Sequence, residues 1–415
     1  MFVFEDTVLH GRRLARRPFL QVGAGCSAVS LASCVQPFHA KAAETIQHLA
    51  RDRSVIFLFM HGGPSQFETF DPKQDGPPHS RSVNGEIASS VPGVHFGSTF
   101  ERLAKRAHLF NVVRSFVTGN GNHDIKPIVG KATLGANMGS LFAKTVGPLD
   151  VETAMPSNVA LFPKSVSASA GPAITQFGDF TAAGALGAAT APLVPGGEGP
   201  FLDTLRLQLS QERLGDRKSL LASLDQGRRW IDQPQVRSML SDEGLAFDVL
   251  ARGVADAFSL DGEGKETIAR YDTASRFNSA RISTQWNNHK HYVDHNQSIG
   301  KLLLLARRLC ERGCGFVTVT TSFVWDMHSD KNNASMREGM GYVGSPFDYA
   351  VSTLIDDIEA RGLQDKILLV CCGEMGRTPR INAKGGRDHW GGLAPLLIYG
   401  GGLEAGRIIG QSTRD

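Results

Sequence analysis

The chain has 415 residues and a nearly balanced charge, with 44 Lys and Arg against 41 Asp and Glu. Residues 1–42 hold five basic and two acidic residues, so the rest of the chain carries no net charge. Nucleic-acid and anionic-membrane binding usually need a basic surface, so this balance argues against both partners. The length allows two domains, although large α/β folds often use this much chain as one.

Residues 1–42 have the composition of an export signal. Four arginines, at positions 12, 13, 16 and 17, precede an apolar stretch of small residues, and Ala-Lys-Ala-Ala at 40–43 is typical of a cleavage site. The run from Arg16 to Gln21 has the pattern of a twin-arginine signal, which an export receptor reads. We therefore predict a signal peptide at 1–42, passage through the twin-arginine export machinery, and a location in the periplasm or at the cell surface.

A second interpretation of the signal concerns Cys34. Leu-Ala-Ser-Cys at 31–34 resembles a lipoprotein box, and its use would place a lipid anchor on Cys34. No later segment is apolar enough to span a membrane, so no transmembrane span is expected in the mature chain. The remaining cysteines do not form a disulfide framework or a zinc-knuckle spacing.

The mature part, 43–415, is predicted to be one α/β domain. A strand is predicted over 53–60, a helix over 99–107 and a second strand over 109–113. Residues 163–200 are rich in Gly, Ala, Ser and Pro and indicate loops, and helices are predicted over 204–214 and 249–258. We interpret about 150–290 as a helical insertion.

The last third alternates between helix and strand patterns. Helices are predicted over 297–311 and 347–361, and strands over 315–320, 366–372 and 393–399. Such alternation favours parallel pairing with helices on both faces of a mostly parallel sheet.

Polar clusters follow four of the predicted strands. The candidates at these strand ends are His61, Thr118, His123, Asp326, His328, Glu374 and Arg377. Ligand sites of parallel sheets lie at the carboxyl ends of the strands, so these residues are expected to converge on one rim. Asp388 and His389 precede a strand instead, so their loop is expected to reach back across that rim.

Imidazole and carboxylate groups in this number predict a metal site. His61, Asp326, His328, Glu374, Asp388 and His389 are the candidate ligands, a set suited to zinc, manganese or iron. One metal needs three or four of them, and a two-metal site could use nearly all. Arg377 and Arg387 are suited to a phosphate or sulfate group. A polar network that only ties loops together remains the alternative.

These clusters resemble the bacterial family catalogued as domain of unknown function 1501. The resemblance rests on long motifs that cover nearly all of the mature chain: His-Gly-Gly-Pro-Ser-Gln and Phe-Asp-Pro-Lys within 61–73, Arg-Ser and Asn-His within 114–123, Trp-Asp-x-His at 325–328, Gly-Glu-x-Gly-Arg-Thr-Pro at 373–379 and Gly-Arg-Asp-His-Trp at 386–390.

The resemblance implies membership of the alkaline phosphatase and sulfatase superfamily. It implies an alkaline-phosphatase-like α/β sandwich, divalent metal ions such as zinc, manganese or calcium, and a nucleophile between them. Asp326 and His328 look like one set of ligands, Glu374 occupies a ligand position, and Asp388 with His389 supplies later ones.

The chain departs from this superfamily at three places. His61 stands where relatives usually have a metal-binding Asp, and the Cys-x-Pro-x-Arg motif that precedes formylglycine is missing. Thr118, with Ser65 as the alternative, resembles a nucleophile by position, and a water molecule on the metal is the other attacking group. Family members usually extend beyond the position of Asp415, so the resemblance predicts missing final elements.

We therefore expect an exported metal-dependent hydrolase of phosphate or sulfate esters, on a small-molecule or polysaccharide substrate. Thr118, His123 and Arg377 are the catalytic candidates, and Arg377 is expected to hold the anion. The alternatives are a non-catalytic envelope or surface binding protein with the same fold, and a broken gene product without a stable fold.

Overall fold

In the computed structural model, apolar strand-forming segments assemble into one central sheet of seven strands. The structure describes Ala50 and residues 52–196 and 254–413. The predicted signal peptide, the predicted helix at 204–214 and the start of the predicted helix at 249–258 lie outside these residues. Residues Arg53–Asp415 form one compact unit.

The described strands are β1 (Ser54–Phe59), β2 (Glu86–Ala88), β3 (His95–Gly97), β4 (Phe110–Val113), β5 (Asn158–Leu161), β6 (Phe316–Thr320), β7 (Ile367–Cys372), β8 (Gly376–Ile381), β9 (Arg387–Trp390), β10 (Leu396–Gly400) and β11 (Ile408–Ile409). The described α-helices are α1 (Glu101–Ala104), α2 (Met138–Val146), α3 (Lys265–Tyr271), α4 (His289–Glu311), α5 (Met336–Gly339) and α6 (Ser345–Ala360), with a π-helical turn at Met340–Gly344 before α6.

The central sheet is mixed and mostly parallel, with the order β11-β4-β10-β7-β1-β6-β5. This confirms the prediction of a mostly parallel sheet with helices. The exception is β10, which runs antiparallel to both β4 and β7 and corrects the parallel pairing expected for 393–399. The reason is the connection: the β8–β9 hairpin, and not a helical crossover, joins β7 to β10, so the chain re-enters the sheet from the rim that it left.

Both faces of the sheet are buried. In β1, Ile56 and Leu58 belong to the core that α4 and α6 cover, whereas Phe57 and Phe59 belong to a second core on the other face, against which Phe142 of α2 packs. Because successive strand residues point to opposite faces, a strand covered on both sides appears as a continuous apolar run. The run at 53–60 was predicted on this basis.

One rim of the sheet gathers the polar loops. β1, β4, β6 and β7 are parallel and end at this rim, as expected from the sequence. Antiparallel β10 begins there, because Leu396 pairs with Val113 and with Cys372. The segment with Asp388 and His389 therefore lies at the rim directly, as strand β9, and does not have to cross the sheet as a loop.

Two further segments differ from the predictions, and a third agrees. β5 lies within the range 150–290 that we interpreted as an insertion, yet it pairs with β6 at the edge of the central sheet. The helix predicted over 99–107 consists of the short α1 and a 3-10 turn at Ala107–Leu109. In 163–196 the chain forms loops and short 3-10 turns, close to the prediction. None of the described helices combines the length and the apolarity needed to cross a membrane.

Candidate metal centre

Two glycine-dependent contacts join the loops at the rim. Gly62, three residues after the end of β1, has φ 115°, and a Cβ there would lie 2.5 Å from the backbone nitrogen of Asp326. The backbone N–H groups of Val324 and Trp325 donate to the carbonyl of His61, at 3.2 and 3.1 Å. The loops after β1 and β6 can approach this closely only because Gly62 lacks a side chain.

The segment that carries Asp326 and His328 is bracketed by two unusual backbone conformations. Ser322 and Ser329 both adopt positive φ, at 66° and 58°. Left-handed conformations outside glycine are uncommon and concentrate at functional sites, where the surrounding structure enforces them. Gly386 closes the other side, since a Cβ there would lie 2.0 Å from the carbonyl oxygen of His328.

Four side chains converge at the centre of the rim. One ligand atom from each of His123, Asp326, His328 and His389 lies within 4.8 Å of every other. Oδ1 of Asp326 is 2.9 Å from Nε2 of His328, 3.4 Å from Nε2 of His389 and 3.6 Å from Nε2 of His123. The two Nε2 atoms of His328 and His389 are 2.7 Å apart. Three imidazole nitrogens thus face one carboxylate oxygen.

The charges of this group suit a cation. Burial, the largest effect, favours the neutral form of Asp326, but Arg377 and the hydrogen bonds from His328 and His389 together hold its pKa well below the usual range. Burial also lowers the pKa of His123 to about 4, against the attraction of Asp326. At neutral pH His123 is therefore an uncharged imidazole with a lone pair, and Asp326 is an anion.

Two predicted ligands support the imidazoles from outside the group. Oε1 of Glu374 is 2.9 Å from Nδ1 of His123 and also accepts the N–H of Gly62 at 2.9 Å. Oδ1 of Asp388 is 3.4 Å from Nδ1 of His328. A carboxylate on the distal nitrogen of a histidine is the usual partner of a metal-binding imidazole, because it fixes the tautomer and the ring. The geometry therefore assigns Glu374 and Asp388 to this outer role rather than to direct ligation.

His61 is also outside the four-residue group. Its ring is 1 % exposed and packs against the rings of Phe59, Phe177, Phe180 and Phe323 at 4.9–5.6 Å. Burial lowers its pKa to about 4, and neither ring nitrogen has a hydrogen-bond partner among the described residues. Oε2 of Glu374 is likewise without a partner there, and burial raises the pKa of this carboxyl to about 7.

Arg377 is a fully buried brace and does not face the rim as an anion receptor. Its guanidinium donates to the carbonyls of Gly62, Gly63 and Arg387, and its Nη2 lies 2.6 Å from Oδ1 of Asp326. Its Nη1 is also 3.3 Å from Nε2 of His328. All its N–H groups therefore have acceptors inside the protein, which favours a positioning role over the predicted anion contact.

Arg387 is occupied in the same way. It pairs with the buried Glu68 at 3.0 Å and donates to the carbonyls of Arg81, Thr378 and Pro379. Gln66 completes the brace, because its amide accepts from the backbone N–H of Arg377 and donates to the carbonyl of the same residue. The motifs at 373–379 and 386–390 therefore supply buried contacts that hold the loops of the rim together. The sequence did not predict this structural role.

The candidate nucleophiles have no activating partner in the described residues. Oγ1 of Thr118 and Oγ of Ser65 are buried and make no hydrogen bond. The loop of Thr118 nevertheless runs along β9: the N–H of Gly119 donates to the carbonyl of Gly391, and a Cβ at Gly121 would lie 3.0 Å from Cβ of His389.

The donor set fits a divalent metal ion. In a tetrahedral site with bonds of about 2.0–2.1 Å, neighbouring ligand atoms lie about 3.3 Å apart. The three separations of 2.9–3.6 Å around Asp326 are close to this spacing. Of the four residues that converge, Asp326, His328 and His389 are predicted ligands, and His123 is predicted as a catalytic residue.

A family model described as "Protein of unknown function (DUF1501)" matches residues 52–415, so the chain belongs to this family. No curated protein matches the chain. Among solved structures, Ps i-CgsB in complex with k-i-k-neocarrahexaose has a TM-score of 0.31 and 11% identity, over 86% of this chain and 68% of that one. The phosphonate monoester hydrolase of Agrobacterium radiobacter has a TM-score of 0.27 and 10% identity, over 86% and 70%. At such TM-scores neither similarity carries an argument about function.

Proposed function

We propose that this DUF1501 protein is a metal-dependent hydrolase of phosphate or sulfate esters that acts outside the cytoplasm. The observation that carries the proposal is the convergence of three imidazole Nε2 atoms on Oδ1 of Asp326. One carboxylate oxygen thus has three imidazole nitrogens within 3.6 Å, which is the kind of donor set that binds a zinc-type ion. A divalent cation satisfies all four atoms.

The residues that would hold the ion are His123, Asp326, His328 and His389. Three nitrogen donors and one oxygen favour zinc and disfavour calcium, which takes six to eight oxygen ligands. When bound, the ion would supply a Lewis acid for the ester oxygen.

The protein's own groups would orient and shield this centre. Glu374 holds the ring of His123 through Nδ1, and Asp388 does the same for His328. The stacked rings of Phe177 and Phe323, with centroids 4.6 Å apart, cover the other side of His123 and keep water from it. Thr118 is our proposed nucleophile because its unbonded hydroxyl lies in the loop that runs along β9.

Two further parts of the proposal concern fold and location. The parallel arrangement of six strands, with cores on both faces, supports an alkaline-phosphatase-like sandwich. The arginine pairs and the apolar stretch at 1–42 support export by the twin-arginine machinery to the periplasm or cell surface. A fusion of residues 1–42 to a folded reporter tests export. We expect the wild-type fusion to be exported and the Arg16→Lys/Arg17→Lys fusion to stay in the cytoplasm, and a wild-type fusion that stays in the cytoplasm would contradict the proposal.

The experiment for the site combines metal content with turnover. Full-length protein is purified without chelator, analysed for bound elements, and assayed with aryl phosphate and aryl sulfate mono- and diesters. We expect close to one ion per chain and saturable turnover, with both lost in Asp326→Ala and His389→Ala. The exposed His79 gives the control, His79→Ala, which should keep both. Wild-type protein that is folded and retains no zinc or manganese would contradict the proposal.

Two observations favour a non-catalytic binding protein instead. Oδ1 of Asp326 already pairs with Nη2 of Arg377, and neither Thr118 nor Ser65 has a base beside it in the described residues. Metal retention without turnover of any ester in the panel would support this second candidate.

A further inference from the structure

Two parallel asparagine pairs connect the loop after His328 to the start of α4. Nδ2 of Asn287 donates to Oδ1 of Asn332 at 2.6 Å, and Nδ2 of Asn288 donates to Oδ1 of Asn333 at 2.7 Å. Oδ1 of Asp330 accepts the backbone N–H groups of both Asn332 and Asn333, each at 2.8 Å. The two pairs therefore have the same chemistry and the same local backbone support.

Only one pair reaches the metal centre. Nδ2 of Asn333 lies 3.1 Å from Oδ2 of Asp326, and Asn333 is 3 % exposed, whereas Asn332 is exposed to solvent. Asn288 uses the oxygen of the Asn333 amide, so the nitrogen must point to Asp326. The two oxygens of the Asp326 carboxylate therefore have different partners: Oδ2 accepts from Asn333, and Oδ1 faces the three imidazoles.

We propose that Asn333 is a positioning residue of the metal centre, with Asn288 as its support. The amide stabilises the ionised form of Asp326 and prevents its rotation, so that Oδ1 alone is presented to the cation. The inference rests on the proposed function, because it requires that the four-residue group binds a metal.

The alternative is that Asn333 only stabilises the loop. Both asparagine pairs join the same loop to α4, so a merely structural role predicts that either leucine variant lowers the stability of the fold, more at the buried Asn333, and leaves the affinity of the folded protein for the ion unchanged. A role through Asp326 predicts that only Asn333 changes the affinity for the ion. Loss of an outer partner of a metal ligand typically weakens metal binding by about 10–100-fold.

The test compares Asn333→Leu with Asn332→Leu in the full-length protein. The zinc dissociation constant is measured by competition with a chromophoric chelator, and folding is checked by circular dichroism. We expect Asn333→Leu to raise the dissociation constant by about 10–100-fold and Asn332→Leu to leave it within about threefold. Asn288→Ala should have a smaller effect of the same sign, and the double variant Asn288→Ala/Asn333→Leu should be no weaker than Asn333→Leu alone.

Each outcome decides between the accounts. Equal dissociation constants for wild type and Asn333→Leu, or equal losses at Asn332 and Asn333, would overturn the positioning role and leave the metal centre intact. Wild-type protein that binds no zinc or manganese would overturn the proposed function itself, which distinguishes the two failures. If Asn333→Leu does not fold, Asn288→Ala decides, since an unchanged constant in that variant contradicts the role.

Discussion

Two buried polar networks of this protein differ in how they are satisfied. The network at the end of α4 joins Arg307, Arg308 and Arg361 to three acidic residues, Glu263, Glu311 and Asp357, so every cation there has an anion. At the rim of the sheet, three imidazoles crowd one oxygen of Asp326, and two of their nitrogens are 2.7 Å apart. The first network pairs arginines with several carboxylates, whereas the second holds one Arg377–Asp326 pair and three imidazoles that meet at the same carboxylate oxygen.

Breaking the arginine–carboxylate network at the end of α4 should have the largest effect on the free energy of unfolding. Arg307→Met leaves the carboxylates of Glu263 and Asp357 with fewer partners in a site where Arg307 is 1 % exposed, so we expect a loss of about 3–5 kcal/mol in the free energy of unfolding. Urea unfolding measures it. Arg361→Ala is the matched control, because that arginine is 35 % exposed and should cost at most about 1 kcal/mol. Equal losses would show that burial does not distinguish the two arginines.

His295, which lies outside both networks, should make the free energy of unfolding depend on pH by a similar amount. His295 of α4 is fully buried between Thr321 and the carbonyl of Val343, and burial lowers its pKa from 6.5 to about 4. The unfolded chain therefore takes up a proton below pH 6.5 that the folded protein does not take up until about pH 4. The stability contributed by neutral His295 is complete above pH 6.5 and is lost as the pH falls towards 4, by up to about 3 kcal/mol.

Thermal and urea unfolding at pH 4.5 and pH 7.5 check this prediction by comparison with His295→Gln. The pH dependence of wild-type stability should exceed that of the variant, whereas His108→Gln, at an exposed position, should behave as wild type. A pH dependence unchanged by His295→Gln would contradict the account.

Metal addition should separate the two networks directly. A ligand that binds only the folded state stabilises it by about 2.7 kcal/mol at 100 times its dissociation constant. We expect this gain in wild type and in Arg307→Met, and none in Asp326→Ala, in unfolding experiments with and without zinc. A gain that survives in Asp326→Ala would place the ion elsewhere.

Among these changes, Asp388→Asn should have the smallest effect, which we expect on the dissociation constant of the metal. Its side chain is 62 % exposed and 3.4 Å from His328, whereas Glu374 is buried and 2.9 Å from His123. Asp388→Asn should therefore raise the metal dissociation constant less than tenfold, and Glu374→Gln by about 10–100-fold. Competition with a chelator gives both constants, and the reverse order would exclude the assigned outer roles.

The sequence predicted which segments meet at the rim of the sheet better than it predicted the roles of the side chains at the centre of the rim. Apolar runs such as 53–60 and 366–372 identify buried parallel strands, and the residues after such strands must share a rim. The orientation of β10 was wrong, because it depends on the β8–β9 hairpin, whose Gly- and Arg-rich sequence lacks an alternating pattern. β5 was missed because it lies within the range 150–290 that we interpreted as an insertion.

The roles of individual side chains depend on directions that spacing does not encode. Whether Glu374 reaches a metal or the distal nitrogen of His123 is a matter of a few ångströms, and only the packed loops decide it. Arg377 appeared suited to a substrate because its motif is polar, yet Gly62 and Gly63 bring carbonyls to it and enclose it. Asn333 carries no pattern at all, since its role follows from its position beside Asp326.

Crystals grown with zinc, and analysed by anomalous diffraction at the zinc edge, test the central claim most directly. The account predicts one peak at about 2.0–2.2 Å from Nε2 of His123, His328 and His389 and from Oδ1 of Asp326, with Asn333 still bonded to Oδ2. A structure in which zinc is absent from this group, with His328 and His389 sharing a hydrogen bond, would contradict it.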